Sequence, residues 1–154
     1  MSVTCYDVYG KAVSVATADI VFRPAIYGVL VENDEVLLTA HPTTKLWQPL
    51  GLILEEHIEA EQALQRYLQR VIQVVPAVKS LLWVEEQYRV DEEKRAWHLS
   101  ALYYDLKRPL SSGSPDLNSE QRLAWIPLAD LNRSQMQFGY DAIQAAQRQQ
   151  LLPE

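Results

Sequence analysis

Four glutamates lie close together in the middle of the chain, at the start of a helical pattern. They are Glu55, Glu56, Glu59 and Glu61. Carboxylate oxygens are the ligands that hard divalent cations prefer, so such a cluster can hold a metal ion. The first turn of a helix also favours acidic, solvated side chains through the helix dipole. The dipole explains the cluster without a metal. Metal binding stays open as an alternative, with Glu85, Glu86 and Glu120 as further candidate ligands.

Two arginines follow in the same segment and point to an anion instead. Arg66 and Arg70 are four residues apart, which places them one turn apart on a helix. A guanidinium group binds phosphate or carboxylate through paired hydrogen bonds. The three histidines, His41, His57 and His98, show no metal-ligand spacing. We therefore expect a bound ligand to be anionic rather than cationic, and His98 to be an ordinary sheet residue.

An amphipathic helix must position these side chains. Between residues 59 and 75, apolar residues recur at spacings of three and four, and polar residues lie between them. The pattern predicts one helix, docked by Leu64, Leu68 and Val75, with Pro76 after its end. The apolar members are Ala60, Ala63, Leu64, Tyr67, Leu68, Val71, Val74 and Val75.

Strand patterns surround this helix on both sides. Residues 3–15 predict a hairpin, and Arg23-Pro24 is expected to interrupt the pattern after it. Short apolar runs across a polar turn predict a buried strand pair. Further strands and a second helix follow the first helix, and the whole order predicts an α+β (mixed α/β) domain whose helices cover a mixed sheet. The predicted ranges after the hairpin are 25–31, 36–40, 81–90, 97–106 and 123–126 for strands and 141–149 for the helix.

From Trp47 onward the sequence resembles the Nudix hydrolases. Their box reads G-x5-E-x7-R-E-U-x-E-E-x-G-U, where U is aliphatic, and it often follows W-x-L-P-G. Here Trp47-Gln48-Pro49-Leu50-Gly51 stands in the entry segment. Three positions match the box at its own spacing: Arg66, Leu68 and Val74. The positions that depart from it are Leu52, Ile58, Tyr67, Arg70, Val71 and Gln73. The resemblance covers about residues 22–149 and implies a Nudix-like α/β/α sandwich.

The departures bear on the activity that the resemblance implies. In the family, the box glutamates bind magnesium, which holds a diphosphate for attack by water. Ile58, Tyr67 and Val71 offer no carboxylate, and Arg70 brings a positive charge. We expect no bound metal or other cofactor and no ordinary catalysis, and we assign no catalytic residue. We expect a nucleotide-like or other anionic ligand near Arg66, Arg70 and Trp47.

Two alternatives remain beside this interpretation. A divergent hydrolase could cleave a nucleoside diphosphate derivative with magnesium held by relocated carboxylates, with Glu55, Glu59 and Glu120 as candidates. A self-associating scaffold could use the strands at 81–90 and 97–106 as an interface between two copies. The sequence alone leaves both alternatives open.

Composition limits the possible domain number, partners and cellular setting of the protein. The chain has 154 residues and a formal net charge of -6, which suits one domain (1–154) and argues against a nucleic-acid partner. Within it, residues 1–21 are expected to form a hairpin extension and 22–149 the core. Cys5 is the only cysteine and is expected to be a small strand residue, so a reduced, cytoplasmic setting fits. No signal peptide or membrane span is expected.

Overall fold

The computed structural model describes residues 1–55, 58–118 and 121–150. These residues form nine strands, two α-helices and three short 3-10 helices. The first half of the chain contains β1 (Ser2–Tyr6), β2 (Ala12–Ala16), β3 (Ile20–Glu32), β4 (Glu35–Ala40), β5 (Trp47–Gln48), β6 (Leu50–Ile53) and α1 (Ala60–Ile72). The second half contains β7 (Ala77–Val90), β8 (Ala96–Lys107), β9 (Leu123–Pro127) and α2 (Tyr140–Gln150). The 3-10 helices are Thr17–Asp19, Leu128–Asp130 and Arg133–Gln135.

The strands form one mixed sheet. Its main path runs β2-β1-β7-β8-β3-β4-β5, with β6 paired to β3 and β9 paired to β4. β3 and β8 run parallel from Ile20↔Ala96 to Leu30↔Leu106. β7 is antiparallel to β8, and both β4 and β6 are antiparallel to β3. The predicted mixed sheet is confirmed, and so are the buried strand pair and the two long strands.

The two α-helices cover opposite faces of the sheet. Alternate side chains of β3 point to opposite faces, as in any strand. Ile26 and Leu30 belong to the buried cluster that contains α1. Tyr27 and Val29 belong to the cluster that contains Ile143 of α2. The predicted α/β/α sandwich is therefore confirmed.

The first helix begins and ends at identifiable signals. The Glu59 carboxylate caps it by accepting hydrogen bonds from the backbone N–H groups of Glu61 and Gln62. It ends at Ile72, and Gln73 adopts a left-handed conformation with φ 61°. Leu64 and Leu68 are fully buried, as predicted. The expected role of Val75 is wrong, because the helix stops three residues earlier and Val75 is 44% exposed.

The expected interruption at Arg23-Pro24 is also wrong, because β3 continues through both residues. In a strand, the N–H and C=O of one residue point to the same side. The Pro24 carbonyl accepts a hydrogen bond from the Leu54 N–H, 2.8 Å away, just beyond the end of β6. The missing N–H of Pro24 therefore faces the side where the β6 ladder has ended, and the ladder to β8 stays intact.

The N-terminal hairpin is confirmed as β1 and β2, which pair from Ser2↔Ala16 to Tyr6↔Ala12. Cys5 lies in β1, is fully buried, and its thiol pKa is raised by that burial, so it is a strand residue as expected. β3 already begins at Ile20, so the expected boundary between 21 and 22 falls inside a strand. No helix in the described ranges has the length and apolar character to cross a membrane.

The packing of α1 generates a stability prediction. Leu68→Ala should lower the free energy of unfolding by about 2–5 kcal/mol, because the side chain is fully buried and its removal leaves a cavity. Val75→Ala should change it by less than about 0.5 kcal/mol, since Val75 is partly exposed. Urea unfolding followed by circular dichroism measures both. Equal effects of the two substitutions would contradict the observed docking of α1.

Candidate functional site

A cleft of about 480 Å³ opens beside α1, where five parts of the chain meet. They are the end of β4, the loop at 41–46, the strands β5 and β6, one side of α1, and the segment just before β9. The cleft is lined by Thr39, Ala40, His41, Pro42, Lys45, Gln48, Gly51, Tyr67, Gln121 and Arg122. The chain thus brings residues separated by more than half its length into one concave surface.

Gly51 lets β6 approach β3 closely at the floor of this cleft. It pairs with Tyr27 in the antiparallel ladder. A Cβ atom at position 51 would lie 2.2 Å from the Ile26 carbonyl oxygen and 2.4 Å from the Tyr27 ring. No side chain fits there without moving backbone, so glycine at this position is a packing requirement.

Tyr67 is the residue that α1 contributes to the cleft. Its side chain is buried, and its hydroxyl donates a hydrogen bond to Gln121 Oε1 at 3.1 Å. The Thr39 hydroxyl donates to the same oxygen at 3.4 Å. Burial raises the pKa of the Tyr67 phenol, so the group is a neutral donor at physiological pH.

The charged groups that line the cleft within the described ranges are basic. Lys45 and Arg122 line it, and the Arg122 guanidinium lies 5.7 Å from the centre of the Trp47 ring. Burial lowers the pKa of His41, and its Nδ1 accepts hydrogen bonds from the backbone N–H groups of Thr43 and Thr44. Among the residues that the structure describes, no aspartate or glutamate lines the cleft. An anionic group suits these surroundings better than a cation does.

A larger cavity, of about 820 Å³, lies on the other side of the loop at 41–46. Its walls come from the hairpin turn at 6–10, the loop at 43–46, the C-terminal half of β7 and the segment at 136–141. Several aromatic side chains line it, together with residues of both charges. The aromatic members are Tyr6, Tyr9, Tyr88, Phe138 and Tyr140. A planar ligand fits this kind of lining.

Polar side chains of β7 are fixed along one wall of the larger cavity. The Tyr103 hydroxyl and the Gln87 amide both donate to Glu85 Oε1, at 2.5 and 2.9 Å. Arg89 donates to the Tyr27 hydroxyl at 3.1 Å, and its guanidinium lies 4.7 Å from the centre of the Phe138 ring. These partners hold the charged groups in place before any ligand arrives.

The loop at 41–46 and Gln137 lie between the two cavities. Thr44 lines the larger cavity and Lys45, next to it, the smaller one. The Gln137 N–H donates to the Trp47 carbonyl at 2.8 Å, and its side-chain amide donates to the Val8 carbonyl at the same distance. The hydroxyl of Thr44 donates to Gln137 Oε1 at 2.6 Å. Gln137 thus fixes β5, the loop and the hairpin relative to one another.

Of the site residues predicted from sequence on α1, only Tyr67 lines the cleft. Arg66 and Arg70 are exposed and line neither cavity, although the Arg70 guanidinium lies 5.7 Å from the centre of the Tyr67 ring. Val71 is buried in the core beneath α1. Trp47 packs against the core on the α2 side and does not line the cleft, although its ring lies 5.7 Å from the guanidinium of Arg122, which does.

The remaining predicted residues lie apart from the cleft. Leu52 packs against the core beneath α1, and Ile58 is 43% exposed before the helix. Glu55 is exposed, and Glu59 serves as the helix cap. Glu56, His57 and Glu120 lie outside the described residues. His98 is a sheet residue of β8, as expected, with its Nε2 2.7 Å from Glu86 Oε2.

Several residues of the two cavities escaped the sequence analysis. Gln48, Gln121 and Arg122 carry no motif, and the chain joins them only through the pairing of β4 with β5 and β9. Gln87 and Arg89 do carry a signal, together with Glu85, which the sequence indicated only as a candidate metal ligand. They alternate along a strand, so their side chains share one face. That spacing predicts a polar row on β7.

Comparison with known proteins identifies the fold. No protein-family model matches the sequence, and no curated protein matches it. Solved structures do match. The MutT NUDIX hydrolase from Burkholderia pseudomallei aligns with a TM-score of 0.62 at 19% identity, over 82% of this chain and 97% of that one. The MutT protein from Methanosarcina mazei Go1 gives a TM-score of 0.62 at 12% identity, over 85% and 96%.

An ADP-ribose pyrophosphatase from Streptococcus suis is similar to the same extent. It aligns with a TM-score of 0.59 at 10% identity, over 86% of this chain and 94% of that one. At such identities the likeness concerns the fold rather than the chemistry. The resemblance predicted from the residues after Trp47 is confirmed at that level, and the chain has the fold of the Nudix hydrolases.

Proposed function

We propose that this protein binds a nucleotide-like anionic ligand and does not cleave it by the magnesium-dependent route of Nudix hydrolases. The observation that carries the proposal is the lining of the cleft beside α1. It offers Tyr67, Gln48 and Gln121 as neutral groups and Lys45 and Arg122 as cations. Such a lining attracts phosphate or carboxylate and repels a metal ion.

Magnesium does not fit the residues that line this cleft. It needs oxygen ligands, normally including at least one carboxylate. Within the described ranges, no three His, Cys, Asp or Glu side chains lie close enough together to hold a metal. The Glu59 carboxylate already accepts two backbone hydrogen bonds as the helix cap. The proposed binding therefore involves no metal ion.

The conformation of Gln73 supports the register of the proposed degenerate box. In the resemblance, position 73 corresponds to the second box glycine. Here Gln73 has φ 61° and ψ 24°, a left-handed conformation that glycine adopts most easily. The same register places Tyr67 and Val71 at positions where the family has glutamates. Both are buried, at 7% and 6% exposure, which supports a packing role for this face of the helix.

The lining of the cleft suggests how a nucleotide-like ligand would lie. Its anionic group would lie near Lys45 and Arg122. Gln48 Oε1 is buried and has no hydrogen-bond partner in the described part of the chain, so it favours a ligand with an N–H or O–H donor. Arg66 and Arg70 remain proposed as outer contacts of the same ligand.

Hydrolysis assays test the central claim. The protein should release no phosphate or nucleoside monophosphate from ADP-ribose, nucleoside triphosphates or dinucleoside polyphosphates in the presence of magnesium or manganese. The physical reason is the lack of carboxylates in the described lining of the cleft. Product chromatography with an EDTA blank is the measurement. Magnesium-dependent turnover that Glu55→Gln or Glu120→Gln abolishes would instead establish the divergent hydrolase.

Titration of ADP-ribose or ADP, by calorimetry, tests the anion site. Arg122→Ala and Lys45→Ala should each weaken binding about tenfold or more, because each removes a charge-assisted hydrogen bond. Arg70→Ala tests the proposed outer contact and should weaken binding less. Arg148→Ala, on the exposed side of α2, is the matched control and should leave affinity unchanged. Equal affinities for all four variants would exclude the cleft as the anion site.

Restoring carboxylates at the box positions should lower the melting temperature of the protein. A variant with Ile58→Glu, Tyr67→Glu, Arg70→Glu and Val71→Glu places two of its four carboxylates at buried positions. Burial penalises a charged group, and the carboxylates repel one another. We expect a lower melting temperature than the parent in EDTA and partial recovery with magnesium, since a cation that binds the native state stabilises it. Thermal melts measure both, and an unchanged melt in EDTA would place these positions away from the core.

A further inference from the structure

His41 begins the loop at 41–46 and also lines the cleft beside α1. Its carbonyl accepts a hydrogen bond from the Lys45 N–H at 2.9 Å, which closes the loop through the backbone. Its side chain closes the middle of the loop. The N–H groups of Thr43 and Thr44 donate to His41 Nδ1, at 3.1 and 3.3 Å. The loop is therefore organised around one imidazole ring.

These hydrogen bonds fix the protonation state of the ring. A backbone N–H can only donate, so Nδ1 must carry a lone pair that accepts from both groups. The hydrogen of the neutral ring therefore sits on Nε2, which lies 4.0 Å from Glu92 Oε1. Protonation places a hydrogen on Nδ1 as well, and three donors then point at one another. The closed loop is compatible only with neutral His41.

The surroundings of the ring favour the neutral form. Burial lowers the pKa of His41 and is the largest effect. The positive charges of Arg89 and Lys45 lower this pKa further, whereas the negative charge of Glu92 raises it. The Glu92 carboxylate also accepts a hydrogen bond from the Thr43 hydroxyl, so it is held by the same loop.

The closed loop determines where the Lys45 ammonium lies. Lys45 has φ 66°, a left-handed conformation that persists in a lysine only where the surrounding structure imposes it. Its Nζ donates to the Pro42 carbonyl at 2.7 Å, so the ammonium is held against the loop itself. Without an acceptor for the N–H groups of Thr43 and Thr44, the turn that carries Pro42 and Lys45 is no longer fixed. The place of a cation that lines the cleft thus depends on His41.

We propose that His41 is the positioning residue of the anion site and that it acts only as the neutral ring. Neutral His41 keeps the loop closed and holds the Lys45 ammonium in the cleft. A proton taken up from water by Nδ1 breaks both hydrogen bonds, releases the loop and weakens anion binding. This role rests on the proposed function, and it adds the residue and the protonation state on which anion binding depends.

Electrostatic attraction alone would give the opposite pH dependence. An additional positive charge beside an anion site strengthens binding if it stays in place. Release of the loop removes both the imidazolium and the Lys45 ammonium from their positions, so binding weakens instead. Tyr67 and Arg122 line the same cleft and keep their charge as a histidine titrates, because burial raises the pKa of the Tyr67 phenol and an arginine stays protonated.

Calorimetric titration of ADP-ribose at a series of pH values gives the test. The diphosphate diester of this ligand keeps its charge across the titration of a histidine. Nuclear magnetic resonance of the imidazole nitrogens measures the pKa of His41 and identifies its neutral tautomer. Affinity should be full above that pKa and about tenfold lower below it, because two backbone donors lose their acceptor. The fall should lie below the ordinary range of histidine, since the pKa of His41 is lowered.

Three variants separate positioning from charge. His41→Asn keeps an acceptor near the place of Nδ1 and cannot take up a proton, so it should bind like the parent at high pH and lose the pH dependence. His41→Ala removes the acceptor, and His41→Lys replaces it with a cation. Both should bind about tenfold more weakly than the parent at high pH. His98→Asn, in β8 outside the cleft, is the matched control and should follow the parent at every pH.

The possible results distinguish the role of His41 from the proposed function. Tighter or equal binding by the parent below the pKa of His41 overturns the role and leaves anion binding intact. So does a His41→Lys variant that binds more tightly than the parent, or a His41→Asn variant as weak as His41→Ala. A neutral tautomer with its hydrogen on Nδ1 overturns the role without any ligand. A parent that does not bind ADP-ribose at any pH overturns the proposed function and the role together.

Discussion

The parallel pairing of β3 with β8 is the constraint on which the rest of the structure depends. It runs from Ile20↔Ala96 to Leu30↔Leu106 and places β3 in the centre of the sheet. Both faces of β3 are covered, so its side chains must alternate between two different cores. A slip of one residue would exchange the sets that meet α1 and α2. The packing at this pairing is also close, because a Cβ atom on Gly28 would lie 2.4 Å from a methyl carbon of Leu106.

The central strand β3 determines where both cavities lie. β4 returns beside β3 through a turn in which Asn33 and Asp34 have positive φ, at 51° and 61°, as a tight hairpin requires. β6 lies against the other part of β3, where Gly51 allows the close approach. The loop at 41–46 therefore emerges between two fixed strands. Its two sides face the cleft and the larger cavity, and the separation of the two cavities follows from the sheet.

The fold was largely predictable because local patterns and packing agree. The spacing of Leu64 and Leu68 identified the buried face of α1, and the apolar runs on either side of Asn33 identified a strand pair. Val75 and Pro24 were misjudged for opposite reasons. Apolar periodicity continued past the point where Gln73 ends the helix. At Pro24 the general rule against proline in strands failed, because its missing donor faces the end of β6.

The site was predictable only where it lies on α1. Tyr67 was found because the box has a fixed spacing along one helix. Gln121 and Arg122 could not be found, because their distance from Tyr67 is set by the ladder of β9 on β4 and no local pattern encodes it. Gln48 could not be found either. It takes the unspecified position of the W-x-L-P-G entry segment, in which the resemblance identifies only Trp47 as a candidate. Residues that reach a site through strand pairing become visible only when the register is known.

The chemistry of the cleft follows from what α1 must do for the core. Tyr67 and Val71 are buried beside Leu68, so carboxylates at these positions would face a desolvation cost unless a cation neutralised them. The chain instead takes its polar groups from outside the helix, through Lys45, Gln121 and Arg122. The described lining of the cleft is consequently basic, although the whole chain carries a formal charge of -6. The negative net charge repels anions from most of the surface, whereas the basic cleft attracts them at one place. This contrast of sign is the physical basis of the proposed selectivity of the cleft for an anion.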